Sequence, residues 1–173
     1  MPVCFGISFT NTMMNQAMAL VHVYSVATVG VSTGAVEMGQ GVNSKMLQVA
    51  ATCFGISPQK VKLESTNTSR VANTSPSAAS STADLNGKAL LDACNQVKER
   101  LLSFIKTELT DEEGAEVEIK EECVDRSNDA AVFNWKNVVQ QAFLKRINLI
   151  AKGHYATPFI HYDKTIEKGH PFA

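Results

Sequence analysis

The sequence contains no apolar run approaching the ~18 residues that a membrane-spanning helix requires, so it predicts no transmembrane segment. Its opening, Met1-Pro2-Val3-Cys4, lacks a positively charged stretch followed by a long apolar one, and no secretory signal is expected. Cysteine is scarce. Cys4, Cys53, Cys94 and Cys123 lie far apart, with no C-x-x-C and no Cys/His cluster, which excludes the ligand spacing of a structural zinc site. Without export they are expected as buried thiols in a reducing cytosol, the predicted location of the chain. The sequons Asn67-Thr68-Ser69 and Asn73-Thr74-Ser75 then carry no meaning. An excess of one charge is also lacking: 16 Lys and Arg against 17 Asp and Glu leave a net charge of -1. Nothing electrostatic draws such a chain to nucleic acid or to an anionic membrane.

What the sequence does have is apolar content. Hydrophobic residues make up 45% of the 173 positions and charged residues 19%, which excludes wholesale disorder. A chain of this length buries roughly 70% of its unfolded surface and needs no disulfide or metal to hold a core. It is read as one domain or a tight pair of subdomains.

Phe5, Ile7 and Phe9 alternate with Gly6, Ser8 and Thr10, the period of a strand. Leu20 to Tyr24 and Val29 to Thr33 are two β-rich runs around Ser25-Val26-Ala27-Thr28, predicting a hairpin without the usual Asn-Gly or Asp-Gly turn. Val42, Met46, Val49, Ala50 and Cys53 then form a helical stripe, closed by Gly55 and Ser57-Pro58. With the short strand Val61 to Glu64, the order strand, helix, strand predicts a β–α–β unit.

Residues Ser65 to Thr82 are crowded with Ser, Thr, Asn and small residues and carry Arg70 as their single charge. Two readings stand: a flexible linker, or a loop whose hydroxyls and backbone N–H groups receive an anionic ligand. A long helix follows from about Ala83 to Lys106, its stripe marked by Leu85, Ala89, Leu90, Ala93, Val97, Leu101 and Ile105. From Asp111 to Glu122 Val117 and Ile119 alternate with Glu116 and Glu118, predicting an exposed edge strand with a solvated face. Asn134 caps a last helix carrying Trp135, Val138, Val139, Ala142, Phe143 and Ile147 on one stripe. The tail from Lys152 to Ala173 reads as irregular, and no internal repeat is present. The fold class is therefore α+β: a mixed sheet with a β–α–β-like unit and a long packed helix.

Few short motifs carry chemistry. Gly39-x-Gly41 fails as a dinucleotide fingerprint because Ser44 stands at the third glycine, and no Lys-Ser/Thr follows to make a P-loop. Ser57-x-x-Lys60 resembles a nucleophile pair but reads as turn chemistry before Pro58. His22 falls within a strand and is read as a satisfied sheet residue. His154, His161 and His170 fall in the tail and are read as surface residues, so no Ser-His-Asp set can be assembled. Gln40 stands between two glycines at a strand-to-helix junction, where backbone N–H groups are free and the helix dipole is positive. Lys45, about one turn on, could reach a phosphate. The plainer reading makes Gln40 a polar residue of the helix start and Lys45 a surface charge.

Taken in order, Phe5-Gly-Ile-Ser-Phe-Thr10, Asn15-Gln-Ala17, His22-Val-Tyr24, Glu37-Met-Gly-Gln-Gly41, Lys45-Met-Leu-Gln-Val-Ala50, Asn73-Thr-Ser-Pro-Ser-Ala-Ala-Ser80 and Ala83-Asp-Leu-Asn-Gly87 resemble the molybdopterin-binding domain of the xanthine dehydrogenase/aldehyde oxidase family. Thr157-Pro158 and Gly169-His-Pro-Phe172 resemble its continuation. The match is dense to Gly87 and thin between Thr107 and Asn134. The resemblance implies a molybdenum–molybdopterin cofactor, a purine or aldehyde substrate hydroxylated with oxygen from water, and iron–sulfur clusters and FAD on other domains or subunits. It implies that Phe5 and Phe9 line the substrate slot and that Thr10 hydrogen-bonds the substrate. It implies that Met38, Gln40, Lys45 and Ser80 surround the pterin and its phosphate, and that the backbone of Ala79 closes on the molybdenum.

The family's catalytic Glu lies in a Gly-Glu-Pro-Pro element that this sequence lacks, and the purine-orienting Arg and second Glu, with the Gln near the apical oxo group, are also missing. Asn11-Thr12, Val26-Ala27 and Ala35-Val36 depart from the family pattern as well. Residues 1–173 are therefore read as the C-terminal part of a molybdopterin-binding domain, divisible into a core of 1–110 and a segment of 111–173 holding the acidic strand, helix and tail. Expected partners are the remainder of the molybdenum-binding subunit and the iron–sulfur and FAD domains or subunits, with self-association favoured by the apolar surface that the missing half would cover. The rival readings are a non-catalytic, degenerate interaction module and a small α+β enzyme using Ser57 or a histidine.

Overall fold

The computed structural model describes residues 11–78, 81–109, 117–120, 122–126 and 133–170. The predicted strand Phe5 to Thr10, the site candidates Phe5, Phe9, Thr10, Ala79 and Ser80, and the acidic positions 111–116 lie outside the described residues.

Strands β1 (Gln16–Val23) and β2 (Val29–Thr33) form the predicted hairpin, antiparallel, with Val21 opposite Val31. Ala27 takes the left-handed conformation (φ 70°) that a glycine would usually supply at this turn. Helix α1 (Val42–Phe54) and strand β3 (Val61–Leu63) follow, and β3 lies parallel to β2. This is the expected β–α–β unit, since parallel neighbours need a crossover. Gly55 ends α1 in the left-handed region and donates its N–H back to Thr52.

Helix α2 (Ser81–Phe104) starts two residues before its predicted beginning and runs on through a π-helical turn over Ile105–Leu109. Every residue of its predicted stripe is buried. Strands β4 (Val117–Lys120), β5 (Cys123–Arg126) and β6 (Phe133–Asn134) form a small antiparallel sheet. Within β4, Val117 and Ile119 are buried while Glu118 and Lys120 are exposed, the predicted edge-strand pattern. In helix α3 (Trp135–Leu144) Asn134 Oδ1 accepts from the Lys136 N–H, as expected of a cap. Trp135, Val138, Val139 and Ala142 are buried, but Phe143 is 57% exposed and Ile147 falls beyond the helix. The helix ends before Ile147, which packs against the core from beyond it, whereas Phe143 lies within the helix on its exposed side.

The tail is not irregular. Strand β7 (Ile150–Ala156) pairs along its whole length with Gln16–His22 of β1, giving a four-stranded mixed sheet of order β3-β2-β1-β7, and β8 (His161–Asp163) pairs with β9 (Lys168–His170). The period of two is present: Ala151 and Gly153 are buried between exposed Ile150, Lys152 and His154. His and Lys on the outer positions conceal it in the composition. Helix α2 packs across β1 and β7, with α1 beside it, and Val21, Ala89, Leu90 and Val97 lie at the centre of the core. The close fit depends on Gly153, where a Cβ would overlap the Ala89 carbonyl oxygen of α2. Among the described residues no helix is long and apolar enough to cross a membrane.

Candidate functional site

The segment from Glu37 to Gly41 turns the chain from β2 into α1. Gly41 is the N-cap, at φ 74°, a conformation that strains any residue with a Cβ. Glu37 folds over the helix start: Oε1 accepts the N–H groups of Gly39 and Gly41, both at 2.9 Å, and Oε2 accepts from Asn43 at 3.0 Å. These bonds, led by the one from Asn43, hold the carboxyl below its ordinary value, and the negative charge sits at the positive end of the helix dipole. Gln40 is tied in the same way. Its Oε1 accepts from the Met38 N–H at 2.6 Å and its Nε2 donates to the Val36 carbonyl at 2.8 Å. The expectation of free N–H groups here is thus corrected: an acid five positions before the first helical residue has taken them. The signal was in the sequence, since an acid beside a helix start is a common device, but the reach from 37 to 43 depends on the two glycine turns.

The Ser/Thr-rich loop is not a flexible linker. Thr74 Oγ1 accepts from the Met18 N–H at 3.3 Å, and the Ser75 N–H reaches the Gln16 carbonyl at 3.4 Å, where β1 runs past the end of β2. Ser77 Oγ accepts from Val36 at 2.8 Å, and Thr66 Oγ1 donates to the Ala35 carbonyl at 3.3 Å. Its hydroxyls bind backbone and fix the loop beside the Glu37 turn. Arg70 is engaged by Glu64 at 3.2 Å and by the Ser65 carbonyl at 3.0 Å.

These pieces meet at a cleft of about 520 Å³ lined by Met38, Gln40, Val42, Lys45, Ala78, Thr82, Ala83 and Asp84. It lies between the first turns of α1 and α2. Three of the predicted cofactor residues, Met38, Gln40 and Lys45, are therefore brought together, and Ala78 brings the small-residue loop to the same place. Thr82, Ala83 and Asp84 were not assigned to the site beforehand, although Ala83 and Asp84 open the Ala83-Asp-Leu-Asn-Gly87 element that carries the resemblance. Lys45 is exposed and makes no ion pair among the described residues. Asn86, one turn further into α2, is 3% exposed; its Nδ2 donates to the Thr82 carbonyl at 2.9 Å and its Oδ1 has no partner. Small side chains beside backbone and one exposed cation suit a bulky polar ligand; Asn86 itself does not line the cleft.

The other candidates separate from this cleft. Lys60 pairs with Glu122 rather than with Ser57, whose hydroxyl meets Gln59. His22 is half-buried in β1 and stacks on Tyr24 at 6.2 Å. His161 and His170 stack across the β8–β9 hairpin at 4.3 Å, away from any acidic partner set that could hold a metal among the described residues. A second cleft of about 430 Å³ lies beside Arg100, which is paired with the Asn148 and Ile150 carbonyls, and Lys145, which is paired with Glu108; Arg146 also lines it.

Comparison with known proteins agrees with the geometry. The family described as "Molybdopterin cofactor-binding domain" matches residues 1–173. The chain is 40% identical to xanthine dehydrogenase of Dictyostelium discoideum over 99% of its own length, and 38% identical to xanthine dehydrogenase/oxidase of Mus musculus over 99%. It spans 11% of each of those relatives. Among solved structures, quinoline 2-oxidoreductase from Pseudomonas putida 86 superposes with a TM-score of 0.69 over 90% of this chain and 22% of that one, at 18% identity. The aldehyde oxidoreductase of Desulfovibrio desulfuricans ATCC 27774 gives 0.64 over 91% and 15%, at 19% identity, and at such identities the likeness speaks for the fold alone. With a family match over every residue and the mixed sheet, crossover and long helix in place, the chain belongs to the molybdopterin cofactor-binding domain family.

Proposed function

We propose that this chain forms one wall of the cofactor and substrate pocket of a molybdenum hydroxylase that oxidises xanthine or related purines, or aldehydes, with water as the oxygen source. The observation that carries the reading is the convergence of Met38, Gln40 and Lys45 with Ala78 on a single cleft. Molybdenum–molybdopterin, when bound, supplies the two-electron redox chemistry. The chain's own residues bind and orient. Lys45, free of an ion pair among the described residues, offers its ammonium to a phosphate. Ala78 and Ala83 let the ligand approach backbone, and the Gln40 turn presents a fixed edge because Glu37 and the Gln40 amide are locked into it. By resemblance, Phe5, Phe9 and Thr10 line the substrate slot, Ser80 joins the pterin shell, and Ala79 closes on the molybdenum. No residue of this chain is assigned as the general base. Iron–sulfur and FAD groups belong to other domains or subunits, and the remainder of the molybdenum-binding subunit is the principal partner.

Taken alone, the chain is catalytically silent in this reading, because general-base catalysis contributes about 10²–10⁴-fold and the base lies elsewhere. Xanthine oxidation by the purified chain above a cofactor-free blank would refute that part. The binding role is tested by pterin content, read as fluorescence after oxidative release, in protein purified from cells that make the cofactor. The chain is purified alone and together with the remainder of a relative's molybdenum subunit. The complex retains pterin, and Lys45→Ala lowers retention by about tenfold, the worth of one charged contact.

One observation favours a rival, a non-catalytic interaction module: Glu37 already accepts the Gly41 and Asn43 N–H groups at the helix start that a phosphate would use. Complex formation without pterin, and no response to Lys45→Ala, would establish that reading instead.

A further inference from the structure

Strand β1 outruns its hairpin partner. The last pair with β2 is Ala19 opposite Thr33, beyond which β2 ends and the chain leaves through Gly34 toward the Glu37 turn. Residues 16–18 of β1 keep β7 on one side, and among the described residues no strand of the sheet takes the other. Backbone groups left on such an edge need partners. The Ser/Thr-rich loop supplies them: the Met18 N–H donates to Thr74 Oγ1 at 3.3 Å, and the Gln16 carbonyl accepts the Ser75 N–H at 3.4 Å. Asn73 turns the chain into this slot at φ 54°, a conformation that Asn tolerates better than most residues with a side chain.

Thr74 is seated on Gly34. Gly34 is buried, and a Cβ there would overlap the Thr74 methyl and lie 2.7 Å from its Cβ and 2.8 Å from its Oγ1. The missing side chain is thus the socket for the threonine. One residue touches both diverging strands, its hydroxyl on β1 and its methyl on the chain leaving β2. Three residues on, Ser77 Oγ accepts the Val36 N–H at 2.8 Å. The next residue, Ala78, lines the cleft, as does Met38, two residues beyond Val36. Thr74 itself does not line it.

We propose that Thr74 is a positioning residue for the cleft: seated on Gly34 and bonded to Met18, it sets how deeply the loop enters between β1 and β2, and so where Ala78 stands in the wall. The consequence for ligand binding rests on the reading of the cleft as a cofactor site. A wall built from a loop holds its place only as well as the residues behind it are locked. Thr74 is locked twice, by shape and by a hydrogen bond, and it acts on the ligand through Ser77 and Ala78 without touching it.

Site-resolved amide exchange on the full chain reads the placement without any ligand. Thr74→Ala and Gly34→Ala are each expected to speed exchange at Met18 and Val36 by about tenfold, while Val21 and Ala151 at the middle of the sheet exchange as in the parent. Thr74→Ser keeps the acceptor oxygen and stays within about threefold of the parent at both. The melting temperatures of all three variants stay within about 4 °C of the parent's, the span of roughly 1 kcal/mol in a chain of this size. In the complex with the remainder of a relative's molybdenum subunit, Thr74→Ala and Gly34→Ala lower pterin retention by about fivefold and Thr74→Ser restores it. The proposal is overturned if Val36 exchanges as in the parent when Thr74 or Gly34 is changed, or if Val21 speeds up together with it, the mark of a merely structural role. It is overturned equally if these variants hold as much pterin as a pterin-bearing parent complex. A parent complex without pterin refutes the cofactor reading instead, and exchange at Val36 then decides the placement by itself.

Discussion

The Asp92 carboxylate of α2 accepts the backbone N–H of His154 in β7 at 3.1 Å. It is one rung of a ladder. Gln96 donates to the Lys152 carbonyl at 2.9 Å, and Arg100 donates to the Ile150 and Asn148 carbonyls at 2.8 and 2.7 Å. Four helical residues rise ~6.0 Å and two strand residues ~6.6 Å, so side chains at i, i+4 and i+8 can follow every second residue of an antiparallel strand. The outer edge of β7 would otherwise present unpaired backbone groups to another chain. Asp92→Ala is therefore expected to cost about 1 kcal/mol in urea unfolding and to raise self-association in light scattering. Asp92→Asn, which keeps an acceptor oxygen, stays close to the parent in both. Equal behaviour of the two variants would remove the edge-sealing role.

Gly153 is a steric requirement. Its missing Cβ lets β7 lie against the α2 backbone at Ala89 and Ala93. Gly153→Ala is expected to destabilise by about 3 kcal/mol, because backbone cannot swing aside as a side chain can. Gly169→Ala, whose new methyl would meet only the Tyr162 ring at 3.8 Å, is the control and stays within about 0.5 kcal/mol.

Trp135 is fully buried and donates Nε1–H to the Ala27 carbonyl at 2.9 Å, joining α3 to the β1–β2 turn. Trp135→Phe removes the donor and leaves a buried carbonyl unpaired. The expected loss is about 1–3 kcal/mol, read from the denaturation midpoint at unchanged slope.

Acid sensitivity follows from Glu37 and Glu122. Glu37 is held below the ordinary 4.5 by backbone donors at the start of α1, and Glu122 by Lys60 first and the Ser57 N–H after it. A carboxyl whose folded value is depressed lends stability that is present above its unfolded value and disappears as pH falls through the folded one. The double variant Glu37→Gln, Glu122→Gln is thus expected to be less stable at neutral pH, and its stability should fall less steeply than the parent's below pH 4.5. Parallel stability–pH curves for the two proteins would contradict the assignment.

Helices α1, α2 and α3, the β1–β2 hairpin, the caps Gly55 and Asn134 and the alternation of β4 were legible in the sequence. Each leaves a local record, since burial on one face imposes a period of 3.6 or 2 and chain reversal demands particular residues. The motif around Gln40 likewise pointed to Met38 and Lys45. Tertiary structure alone decided that β7 is a strand, because its partner β1 lies more than a hundred residues away and its edge is satisfied by side chains of α2. Contacts from distant segments also decided that the 65–78 loop is bound rather than free, that Glu37 occupies the helix start, and that Thr82, Ala83 and Asp84 join the cleft. Periodicity reports which face of an element is covered; it carries no information about which distant segment covers it, and that choice is made by packing the whole chain at once.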